Sequence, residues 1–71
     1  MGFRINDFVR VRYDTPLLIG RELSDQQRRK LIQYIGKAGW VRIIAGRTVN
    51  VFFPVLQRAA WFDDAVLEEA L

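Results

Sequence analysis

A chain of 71 residues with no cysteine and no histidine has nothing to staple it together. Disulfides are excluded, and so are the usual zinc and copper ligand sets. Domains this small bury little core and often lean on cross-links or on a partner, so apolar packing must fold this one. Aromatic side chains supply the means. Five Phe, two Tyr and two Trp are present, each bringing roughly 150–250 Å² of buriable surface. No repeat, linker or low-complexity tract interrupts the chain, which reads as one domain over residues 1–71. The lack of cysteine fits a reducing, cytoplasmic type of compartment.

The apolar pattern is mostly of period two. From Phe3 to Tyr13 it predicts a strand with Ile5, Val9, Val11 and Tyr13 on the buried face, and Arg4, Asn6, Arg10 and Arg12 opposite. Phe8 interrupts the polar face. Asp14-Thr15-Pro16 should end the strand, because proline removes a ladder donor. Ser24 and Gln27 then form a capping box that starts a helix with Leu31, Ile32 and Ile35 as its apolar stripe. Gly36-Lys37-Ala38-Gly39 offers the stop. Trp40–Ile44 and Thr48–Phe53 predict a hairpin closed around Ala45-Gly46-Arg47, with Arg42 and Asn50 outward and Pro54 ending its second strand. The expected core is Val9, Val11, Val41, Ile43, Val49, Val51 and Phe53, with Leu31 and Ile35 of the helix over one opening.

Residues 55–71 admit two readings. Val55, Ala59, Phe62 and Val66 sit at helical spacing. Equally, Arg58 to Phe62 is legible as a strand, with Asp63 capping one short turn that ends at Leu67.

Charge is divided along the chain. Residues 1–60 hold all eleven basic side chains and carry +7, whereas residues 61–71 carry −4 through Asp63, Asp64, Glu68 and Glu69. Nine of the eleven bases are Arg, the type suited to bidentate capture of carboxylate or phosphate. An anionic partner surface is one reading; a merely solubilising surface is the other. The expectation is no secretory signal, since Met1-Gly2-Phe3-Arg4 opens no apolar run, and no N-myristoylation, since position 6 is Asn. Thr48 to Gln57 is the longest uncharged stretch, well short of the ~18–20 apolar residues of a membrane-spanning helix.

Catalysis is not expected. The commonest general base and the strongest nucleophile are both absent. Asp63 and Asp64, adjacent in sequence, would point apart in a strand or about 100° apart on a helix. Gly36-Lys37 lacks the rest of a phosphate loop. Two features suit binding instead. Arg28-Arg29-Lys30 is either a solvated helix face, with Asp25 offsetting Arg29, or an electrostatic docking patch. Trp61 beside Phe62 places one aromatic inward and the other at the surface of a strand, so Trp61 is either packing or contact, and Trp40 likewise. Arg42, outward on the hairpin, completes the candidate partner-binding set of Arg28, Arg29, Lys30, Arg42 and Trp61. Basic and aromatic residues also mark nucleic-acid modules. Here no RNP-type run or zinc knuckle occurs, and the acidic tail repels phosphate, so nucleic acid is the weaker alternative.

Several segments together resemble a known family. They are Val9-Arg10-Val11-Arg12, Arg21-Glu22-Leu23-Ser24, Ile35-Gly36-Lys37-Ala38-Gly39-Trp40-Val41, Val49-Asn50-Val51-Phe52-Phe53 and Trp61-Phe62-Asp63-Asp64-Ala65-Val66-Leu67-Glu68. In this order the chain resembles the PetP family of small peripheral subunits of the cyanobacterial cytochrome b6f complex. The resemblance implies a mainly β fold: a small SH3-like barrel of about five strands with one short helix after the first. It favours the strand-and-turn reading of the C-terminal segment. It also implies a non-catalytic, cofactor-free subunit, docked peripherally on the cytoplasmic face of the thylakoid membrane, where it modulates photosynthetic electron transport. A generic protein-interaction barrel is the alternative of a different class.

Overall fold

The computed structural model describes residues 2–14 and 24–70, without the side chain of Gln27. The expected stop at Thr15-Pro16, the Arg21-Glu22-Leu23 segment and the Gln27 half of the capping box therefore lie outside the described residues. In chain order come β1 (Phe8–Val11), α1 (Asp25–Ile32), β2 (Ala38–Ala45), β3 (Thr48–Phe53), β4 (Arg58–Asp63), a 3₁₀ turn (Asp64–Val66) and β5 (Leu67–Glu69). The strands form one sheet in the order β4-β3-β2-β1-β5, with every pairing antiparallel. A meander of three strands flanked by β1, with β1 in turn holding the last strand, is the connectivity of a small SH3-like barrel. The fold is mainly β, and among the described residues one short helix follows the first strand.

Period-two faces build the core. Val9 and Val11 of β1, Val41 of β2, Val49, Val51 and Phe53 of β3, and Phe62 of β4 are buried, and Val66 and Leu67 join them from the last turn and strand. Leu31, Tyr34 and Ile35 pack against this cluster from α1 and the turn after it, while Ile32 is exposed. Tyr34 stands 4.9 Å from Phe53 and 5.4 Å from Phe62, ring centroid to centroid. Phe53 and Phe62 meet edge-on at 5.7 Å. Such contacts add about 0.5–1.5 kcal/mol each to the area they bury.

Three positions depart from the alternation. Ile5 is 58% exposed, because the chain turns before β1: the Arg4 N–H donates to Asp7 Oδ2 at 2.8 Å, the Asp7 N–H donates to the Arg4 carbonyl at 3.1 Å, and Asn6 takes φ 77°. Tyr13 is exposed as well, since the ladder ends at Val11 and Tyr13 lies in a turn across the surface, its ring near Gly36 and the Arg10 guanidinium. Ile43, expected in the core, is 51% exposed. Val41 pairs with Val51 but Ile43 pairs with Asn50, so Arg42 is an extra residue in a β-bulge. One inserted residue moves every later side chain of the strand to the opposite face.

The C-terminal segment is strand plus turn. Asp63 caps the turn, its Oδ1 accepting the Ala65 N–H at 2.9 Å. The chain then continues into β5, which brings the strands to the expected five at a place that residue periodicity did not mark. There Arg10, directly opposite Glu68, donates from Nε and Nη2 to Glu68 Oε2 at 2.9 and 2.7 Å and ties the last strand to the first.

Candidate docking surface

The face of the sheet turned away from the core is not the polar one that alternation leads one to expect. Phe8, Trp40, Phe52 and Ala59 stand directly opposite one another across β1, β2, β3 and β4. Phe8 and Trp40 are in ring contact at 4.5 Å. A second row runs Ile43, Asn50, Trp61. Trp40 is 45% exposed and Trp61 51% exposed. The bulge that turns Ile43 outward also places the Arg42 guanidinium 5.7 Å from the Phe52 ring centroid. An Arg over an aromatic ring is held by the ring quadrupole with its charge still open to solvent. Aromatic contact area beside an Arg is the composition of protein-binding hot spots.

The residues singled out from sequence do not form one site. Arg42 and Trp61 share the outer face, separated by β3. Lys30 lies instead on α1 and, with Trp61, borders a groove between that helix and β4. Arg28 and Arg29 are exposed on α1 and belong to neither surface. Among the described residues no ion pair joins Asp25 to Arg29. Phe8 and Phe52 were missed as site residues. The signal for both was present in the sequence: an aromatic out of phase, on the polar side of an alternating strand.

The acidic pair Asp63-Asp64 is engaged structurally. Besides capping the turn, Asp63 lies 3.9 Å from Arg47 Nη2, and Asp64 lies 3.7 Å from Arg47 Nε. The Ala65 N–H, with help from Arg47, holds the Asp63 carboxyl below its ordinary pKa. Asp14 is lowered in the same direction by the Arg12 fork, whose Nε and Nη2 donate to its two oxygens at 3.0 and 2.8 Å. Among the described residues no group of three or more acidic side chains is placed to hold a metal ion, and no helix is long and apolar enough to cross a membrane. No family model, curated protein or solved structure matches the chain.

Proposed function

We propose that this chain is a non-catalytic docking domain that binds another protein through the outer face of its sheet, and that its partner is the cytochrome b6f complex at the cytoplasmic face of the thylakoid membrane. The observation that carries the docking role is the row Phe8-Trp40-Phe52 with Arg42 over it, Trp40 exposed and the two Phe partly buried, on a face that folding alone leaves free to be polar. The choice of partner rests on the resemblance of the quoted segments to the PetP family. Bound there, the domain modulates electron flow as a cofactor-free subunit. A single sheet face offers limited area, so binding is reversible. The Arg component gives it salt dependence, since at 0.15 M salt exposed charges act over only about 8 Å.

The test is affinity purification of the tagged protein from its own cells at low salt, with identification of what accompanies it. Subunits of the cytochrome b6f complex should co-purify and be released as salt is raised. Nucleic acid recovered in their place, with steeply salt-dependent binding, would contradict the reading.

A further inference from the structure

Among the described residues β4 is the last strand on its side of the sheet, and its outer edge, paired with no described strand, borders the groove facing α1. The direction of its main chain follows from one bond. The Asp64 N–H donates to the Arg47 carbonyl at 2.8 Å, immediately beyond the Asp63–Thr48 pair. In an antiparallel ladder alternate residues turn both main-chain groups to the same neighbour. Phe62, Ala60 and Arg58 therefore bond to β3, and the N–H and C=O groups of Ala59, Trp61 and Asp63 point away from the sheet. Such an edge is a template for another strand unless a helix or loop covers it. Here α1 stands off, leaving a groove of about 590 Å³, within the ~300–1,000 Å³ typical of ligand sites.

The groove has an apolar floor and a basic rim. Leu31, Tyr34, Ala60, Phe62 and Val66 form the floor, and Lys30 and Arg58 stand at its sides. Arg58 donates a long hydrogen bond of 3.4 Å to Gln33 Oε1. Among the described residues neither Lys30 nor Arg58 has a carboxylate within ion-pair distance. Among the described residues the one acidic side chain bordering the groove, Asp63, is already directed to the Ala65 N–H and Arg47.

We propose that this groove binds an extended acidic segment of a partner protein, which adds to the β4 edge as a further strand. Main-chain bonds to Ala59, Trp61 and Asp63 hold it, alternate apolar side chains drop onto the floor, and its carboxylates meet Lys30 and Arg58. The groove lies on the core side of β4, apart from the Trp40–Phe52 row. Its test uses no photosynthetic membrane, so its outcome is separate from that of the docking reading.

The probe is a six-residue peptide of alternating valine and glutamate with blocked ends, titrated into the full chain and followed by amide NMR shifts. The amides of Ala59, Trp61 and Asp63 should move most. N-methylation at alternate residues should abolish binding in one register and spare it in the other, as only one row of peptide donors faces β4. Lys30→Glu with Arg58→Glu should weaken binding about tenfold or more, with an unchanged thermal midpoint showing that the fold is intact. Four results overturn the proposal: no binding at millimolar peptide, equal binding of a valine–lysine peptide, shifts centred on Trp40 and Phe52, or self-association of the free protein through the same three amides.

Discussion

Gly39 shows how closely this small barrel is built. A Cβ there would lie 2.3 Å from the Phe52 carbonyl oxygen, nearer than any real side chain approaches, and a main-chain atom cannot swing aside. Gly39→Ala should therefore destabilise by about 1–3 kcal/mol or more through overpacking, read from denaturant unfolding. The adjacent aromatics Trp61 and Phe62 give a second single-residue contrast. Phe62 is 6% exposed and Trp61 51%, because neighbours on a strand face opposite ways. Phe62→Ala should cost about 3–5 kcal/mol, a large part of the ~5–15 kcal/mol that a small domain has. Trp61→Ala should leave unfolding nearly unchanged. Equal losses from the two would mean that Trp61 is a core residue and not an exposed one.

Among the elements, the 3₁₀ turn between β4 and β5 depends most on a single side chain. Asp63 caps it, and its carboxyl and that of Asp14 are both held below the ordinary value near 4. A depressed carboxyl stabilises the fold above its unfolded pKa, and the contribution is lost as pH falls through the folded value. Stability should thus be flat from pH 7 to about 5 and decline below about 4. Asp63→Asn, which keeps an acceptor for the Ala65 N–H but no charge, should flatten part of that decline and lower the thermal midpoint at pH 7 by a few degrees. The elements also show what was legible from sequence. β3 and the hairpin were plain from Val49, Val51 and Phe53 at period two beside Gly46, although the turn is one residue shorter than the expected Ala45-Gly46-Arg47, because Ala45 pairs with Thr48 as the end of β2. The exposure of Ile43 was not, because a bulge depends on how β2 bends around the barrel and no residue type announces it. β5 was hidden for a different reason: three residues are too few to show a period, and its partner β1 is distant in sequence. Of the candidate site, Arg42 and Trp61 were found on the outer face, whereas Phe8 and Phe52 became meaningful only when four strands were set side by side.

At the scale of the whole molecule, the arrangement separates two duties. One side of the sheet, closed by α1 and the last turn, holds the Val and Phe core that must serve in place of any cross-link. The other side keeps an aromatic row and an arginine that the core does not use. Residues 61–71 carry the acidic charge, but Asp63, Asp64 and Glu68 face Arg47 and Arg10, so Arg42 is left to act outward. The most direct measurement of the docking role is retention of the purified protein on detergent-solubilised cytochrome b6f complex, for wild type and for Arg42→Glu. The variant's thermal midpoint should match wild type, because Arg42 is exposed at a bulge. Wild type should be retained at low salt and released as salt rises, and Arg42→Glu should be retained several-fold less through slower association. Equal retention of the two, or none for wild type at low salt, would contradict the assignment.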